Sequence, residues 1–383
     1  MKSLRFLWFL VILLVVISSA GAGAKDYIEI WPQGWSEVKP LFSTSIFADR
    51  FSVEHDSFGT STLTVDGLYF RELDLTYRLI RDSVIEEELV LVEKGELDNP
   101  YLGLDDLGNR HLFWLDRSGE KNTLNYTMLT VPGGEFEQHI FWETQNTIQD
   151  LAVVQDGENS HLVWSERDPY FQIKYARLEK GRLAEDVTIT EGVDLSIRPS
   201  IVLDSQGRPH IAWYETTPVA VRVFYSKREN GGWTKPLQIG NGSVQDIQQG
   251  GTIAMTAWGG QIYLAWASTP RDSNHLFVNL ARAGGGEMAP QVLDQGSRPR
   301  FVEGARSLQL VWQGTGRFGA QIHHGVWEEG ALVEKTNLTV GRKMAFRPEV
   351  VTQDEFLYVY WLQADPDRGY RLFEINNQFP KKI

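Results

Sequence analysis

Apolar and polar positions repeat along this chain in one recurring pattern. Asn99–Trp114, the stretch ending in Ser160–Trp164, and Arg198–Trp213 each close an apolar strand on tryptophan. In the first and third, an earlier apolar strand and a D-x-x-G turn precede it, with the turn at Asp105 and Asp204. Degenerate copies end at Trp266, Trp312 and Trp361. A seventh copy follows if Asp56–Gly59 is taken as the turn, which puts Val65 at the tryptophan position. The anchors recur about every 49 residues. Beyond Trp213, Val221–Ser226 alternates as a third strand, Asn230–Gly232 turns, and Trp233–Ile239 makes a fourth.

Four short strands in each repeat of ~40–50 residues, with regular turn signals and no long 3.6-residue period, predict an all-β chain. The expected fold is a seven-bladed β-propeller with four antiparallel strands per blade. The last copy runs out of chain before its fourth strand, while Gly34–Phe42 resembles Gly232–Ile239. An N-terminal strand is therefore expected to close the last blade, which removes the exposed edges of an open array.

The first residues read as an address rather than as fold. Lys2 and Arg5 precede the apolar run Phe6–Ile17, and small residues follow to Ala24. That is the layout of a signal peptide over residues 1–24, leaving 25–383 as a single propeller domain. The apolar run reaches about 18 Å as helix, short of a roughly 30 Å hydrocarbon core. No stable membrane span is expected after cleavage, and the location is extracytoplasmic: secreted, periplasmic or at the cell surface.

Composition narrows the chemistry. The count of Cys is 0, which excludes disulfides, thiolate metal sites and a cysteine nucleophile. A formal net charge of -13 argues against a nucleic-acid partner. No nucleotide-binding loop, zincin helix or G-x-S-x-G elbow is present. No metal and no cofactor is expected, and the chain reads as a monomer.

The repeated tryptophans read as packing between blades, since a residue wanted in almost every repeat serves the architecture. His111, His161 and His210, three residues before tryptophan, read as hydrogen-bonded structural histidines. Asp56, Asp105 and Asp204 are turn residues that bond their own backbone.

One constellation carries possible ligand chemistry. Six residues before the turn aspartate stand Arg50 and Arg198, with Arg298 and Arg347 within a residue of the same place. Asn99 and Gln149 fill it in two other copies. Two residues past tryptophan lie Asp116, Glu166 and Glu215. Because first and second strands run antiparallel, both sets are expected on one face, as arginines at a channel mouth flanked by a carboxylate arc. Either they pair with one another, or the arginines form an anion pocket suited to an acidic sugar or a peptide carboxylate.

The pattern P-x-(apolar)-x-x-D-x-x-G-x-x-H-(apolar)-x-W resembles the degenerate repeats of exported bacterial propellers grouped with the sialidase-like (BNR-repeat) superfamily. The resemblance covers most of the chain beyond residue 24. It implies an arginine triad, matched by Arg198, Arg298 and Arg347, and a tyrosine nucleophile, matched by Tyr370. The Asp box of that family sets glycine and tryptophan closer than here, where Gly108 and Trp114 stand six apart. The function expected is a non-catalytic propeller that binds a protein or glycan, anionic ones included, on the loop-rich face around the channel mouth. The alternative is a sialidase-like glycan-active hydrolase or lyase. No catalytic residue is assigned from the residues alone.

Overall fold

The computed structural model describes residues 31–45, 50–69, 71–130, 138–283, 288–303, 307–316, 319–340, 343–365 and 369–378. The signal segment expected over residues 1–24 lies outside them. Among the described residues the chain is β throughout except for one short helix, Val244–Gln248. None of their helices is long and apolar enough to cross a membrane.

The strands form antiparallel sheets in chain order. The first sheet runs Arg50–Asp56, Gly59–Tyr69, Glu72–Arg81, Val84–Gly95, and the second and third repeat that meander from Leu97–Leu104 and Ile148–Asp156. The fourth starts at Leu195–Leu203, and its outer position is split between Gly232–Trp233 and Leu237–Asn241. Next comes a seven-stranded assembly in which the long strand Met288–Val302 takes two roles. Its first half is the outer partner of Phe277–Ala283, and its second half is the inner partner of Leu308–Gly316.

In the last sheet, Lys39–Thr44 pairs antiparallel with Gly369–Gln378, beside Phe356–Asp365 and Ala345–Gln353. The likeness of Gly34–Phe42 to Gly232–Ile239 is structural in origin. Trp35 bridges Asn377 just as Trp233 bridges Arg228, and in both segments pairing lapses before resuming around a proline. Proline has no N–H to give the ladder, so a broken outer strand accommodates it.

The first strands lie side by side in chain order, and Ala345–Gln353 packs back against Arg50–Asp56. Each tryptophan fills the space between its own sheet and the preceding one. Trp114 packs with Leu63 and Tyr77, Trp164 with Phe113 and Tyr126, and Trp213 with Val163 and Tyr175. Trp266, Trp312 and Trp361 do the same further along, and all six are at most 1% exposed. Burying aromatic area between sheets is what binds neighbours together.

The seventh anchor departs from expectation. Val65 is buried, but it joins Leu63 and Trp114 in the cluster facing the following sheet. The Asp56–Gly59 hairpin is tighter than the Asp105 and Asp204 turns, so counting from the turn lands one residue off and on the opposite face. Consequently, among the described residues, the seam between last and first sheets has no tryptophan and is filled by Phe51 and Val53 against Val351, Tyr360 and Leu362. Arg78 lies over the Phe42 ring at 4.7 Å, and a polar network joins Thr60, Tyr360 and Glu374.

Candidate functional site

The expected arginine position is a backbone feature before it is a side-chain one. Asn99, Arg198, Arg298 and Arg347 all adopt positive φ, at 48°, 53°, 53° and 53°, and Asp150 does so at 61°. At each of these five, the pairing of first with second strand slips: between Asp98 and Tyr101, Gln149 and Ala152, Ile197 and Ser200, Ser297 and Arg300, Phe346 and Glu349. These are β-bulges, which insert an unpaired residue and re-aim its side chain. Proline follows four of the five, where a bulge has no ladder bond for it to lose. In the third copy the bulge residue is Asp150, not Gln149, because no proline marks the place. The fifth first strand, Ala254–Trp258, pairs with its second strand without such a slip.

These positions converge. Arg50, Arg198, Arg298 and Arg347 line one cavity of about 460 Å³, together with Arg300, Asp150 and Glu349. A contiguous cavity of about 600 Å³ continues along the first strands and is lined from every sheet, by Glu54, Tyr101, Asp150, Arg198, Thr252, Arg300 and Val350 among others. Arg50 to Glu54 is four residues of strand, a depth of roughly 13 Å.

The arginines are held differently. Arg50 pairs with Asp98, which also receives Arg117 at 3.2 Å. Arg198 donates its backbone N–H to Asp150 at 3.2 Å, while its guanidinium donates to the carbonyls of Ile247 at 3.1 Å and Gly251 at 3.3 Å. Arg298 donates to the carbonyl of Gln249. The backbone N–H of Arg347 donates to Gln313 Oε1 at 3.2 Å. Arg300, which sequence reasoning missed, makes a two-pronged bond to Glu349 at 2.8 Å on each arm and a third to Thr252 Oγ1 at 3.0 Å. Its signal was available: it stands two residues beyond Arg298, on the same strand.

The carboxylate arc is not part of this site. Asp116, Glu166 and Glu215 line neither cavity. They sit on second strands, one strand farther from the centre, and have local partners. Asp116 accepts from the Ser118 backbone N–H at 2.8 Å, Glu166 from the indoles of Trp142 at 3.0 Å and Trp164 at 3.2 Å, and Glu215 faces Arg222 at 3.9 Å. Tyr370 is also outside the lining, edge-on to Phe346.

Acids the sequence did not single out stand in the cavity instead. Enclosure raises the Glu54 carboxyl to about 8, with Glu303 and Asp56 adding like charge. Burial likewise raises Glu303, and it raises the phenol of Tyr101, helped by Glu54 and Glu303. Asp150 is raised by burial against the opposing charge of Arg198.

The repeated histidines lie elsewhere. His111, His161 and His210 bond Tyr126 at 3.0 Å, Tyr175 at 2.8 Å and Tyr225 at 2.6 Å. Two of them also meet the turn acids, His111 on Asp105 and His210 on Asp204. Among the described residues no group of three His, Asp or Glu side chains could hold a metal ion.

No family model matches this sequence, and no curated protein does. Solved structures share the fold. The polysaccharide lyase Uly1 aligns with a TM-score of 0.57 at 9% identity, over 91% of this chain and 94% of that one. A protein of unknown function from Dyadobacter fermentans gives 0.51 at 11% identity, over 91% and 100%. Trypanosoma rangeli sialidase in complex with 2,3-difluorosialic acid gives 0.49 at 10% identity, over 90% of this chain and 59% of that one. With the first two of these likenesses, the chain is an all-β protein of propeller-like fold, built mostly of four-stranded antiparallel sheets.

Proposed function

We propose that this chain is an exported seven-bladed β-propeller that holds a carboxylate-bearing glycan at the arginine-lined mouth of its central cavity. The observation that carries the reading is arginine at three left-handed bulges, Arg198, Arg298 and Arg347, in one cavity wall. Left-handed backbone costs a non-glycine residue on the order of 1–3 kcal/mol. Asn99 and Asp150 at the corresponding bulges mean the fold does not itself demand arginine there. Guanidinium groups offer carboxylates paired, charge-assisted donors.

The cycle of first strands, with Ala345–Gln353 against Arg50–Asp56, supports the count of seven blades. Likeness in fold to a polysaccharide lyase supports a glycan over a protein ligand. The charged, apolar and small-residue succession over residues 1–24 supports action outside the cytoplasm.

Glu54 favours a second reading, in which the bound glycan is also cleaved. A carboxyl that keeps its proton near neutrality can protonate a leaving glycosidic oxygen, and Glu54 shares the cavity with the arginines.

Calorimetric titration with trigalacturonic acid and with neutral maltotriose, alongside a product assay on the same acidic sugar, tests both. The acidic sugar should bind and the neutral one should not. Added salt should weaken binding, and Arg347→Ala should reduce it about tenfold or more, the loss of one charge-assisted contact. Equal affinity for both sugars would overturn the proposal. Product formation that Glu54→Gln abolishes would establish cleavage.

A further inference from the structure

Two of the mouth arginines are gripped by a single insert. Between the fourth sheet and the fifth first strand, Ser243 caps the short helix Val244–Gln248, and the chain then turns through Gln249, Gly250 and Gly251. Arg198 bonds the carbonyls of Ile247 and Gly251, and Arg298 bonds that of Gln249. The close approach requires glycine. A Cβ on Gly250 would lie 2.9 Å from Arg298 Nη2, and one on Gly251 would lie 2.0 Å from Asp246 Oδ1.

Asp246 is the centre of this insert. Its exposure is 0%, Oδ2 accepts from the Tyr214 hydroxyl at 2.9 Å, and Oδ1 has no hydrogen-bond partner among the described residues. The charged and titratable groups that face it are Tyr214 from the second strand of the fourth sheet, Arg298 and Arg198. An unpartnered carboxylate oxygen buried behind two arginines acts on them through its charge.

We propose that Asp246 is a positioning residue for the arginine site, an internal counter-charge that competes with an anionic ligand for Arg198 and Arg298. The inference rests on the proposed anion site and adds its regulation. Burial raises Asp246 to about 6, against the lowering effects of the Tyr214 hydrogen bond, Arg298 and Arg198. A ligand carboxylate bound to the same arginines raises it further, and coupling is reciprocal, so protonating Asp246 strengthens binding of the anion. Each unit by which the ligand raises that pKa corresponds to about tenfold in affinity between the deprotonated and protonated forms.

The experiment is titration of the full chain with trigalacturonic acid from pH 7.5 to 5.0, a range in which the sugar carboxylates stay ionised. Wild-type affinity should rise about tenfold as pH falls, and Asp246→Asn should hold its low-pH value throughout. Tyr214→Phe removes a hydrogen bond that favours the ionised form, so it should move the midpoint of the rise upward. That variant keeps the test alive if Asp246→Asn folds poorly. A wild-type slope that survives in Asp246→Asn, with Asp150 the next acid against Arg198, would overturn the proposal. So would a midpoint that Tyr214→Phe leaves in place. Acidic-sugar binding with no pH slope would reject Asp246 alone, whereas no preference for the acidic sugar at any pH would reject the site and with it the proposal.

Discussion

A single tryptophan shows how the residue scale works here. Trp213 is fully buried, in contact with the third sheet through Val163 and Tyr175 and stacked against Phe224 of its own sheet. Trp213→Ala should cost about 3–5 kcal/mol, the usual penalty for emptying so large a volume, and a chemical denaturation midpoint reads it. Acidic-sugar affinity measured on the folded fraction should stay at the wild-type value, because the indole is spent on packing. The turn aspartates are similarly local. Asp204 Oδ1 accepts the backbone N–H groups of Gln206 at 2.9 Å and Arg208 at 3.0 Å, and Gly207 takes φ 70° beside them. Such features were legible in the sequence because each is closed within a few residues. The Asp150 bulge was missed by one position, since nothing within a few residues marks it.

Among elements, the outermost strand of the last sheet has the most to hold. Lys39–Thr44 covers the edge of Gly369–Gln378, and Leu41 and Phe42 pack onto Leu372, Tyr360 and Leu362. A chain beginning at Ser45 would expose that edge and the apolar seam beside it. Its melting temperature should fall, and Gly369–Gln378 should exchange its amide hydrogens early. An unchanged melt would mean the strand is dispensable. The likeness of Gly34–Phe42 to Gly232–Ile239 made this strand readable. The seam it supports was not readable: only packing revealed that Val65 turns away, and that Val53 and Phe51 with Val351 and Leu362, and the polar trio Thr60, Tyr360 and Glu374, join first and last sheets.

For the whole molecule, buried titratable groups set the response to pH. Burial lowers His55, His323 and His324 to about 4 from 6.5. Between those values the unfolded chain binds protons that the folded chain refuses, so stability from these histidines is lost as pH falls from 6.5 towards 4. Glu54, raised from 4.5 to about 8, has the opposite sign: its contribution is present at low pH and is lost as pH rises from 4.5 to about 8. The melting temperature should therefore peak near pH 6.5 and decline on both sides. Glu54→Gln should lessen the alkaline decline, to which Glu303 and Asp150 contribute with the same sign, and leave the acid one, which a pair of thermal pH series would show. An alkaline limb identical in the variant would place its cause elsewhere.

What the sequence determined by itself is everything with a short period: alternation in strands, the D-x-x-G turns, the tryptophan register and the recurring arginine before proline. These are local, because side-chain direction alternates every residue and turn chemistry closes within four or five. Tertiary structure decided which of those residues meet. It gathered Arg50, Arg198, Arg298 and Arg347, drawn from distant repeats, around one cavity with Glu54 and Arg300. It also left Asp116, Glu166 and Glu215 outside, because a residue one strand farther out shares the face but not the centre. The grip of the Ser243–Gly251 insert on two arginines has no sequence signature at all. It depends on an approach between backbone and guanidinium that only the assembled sheets bring about.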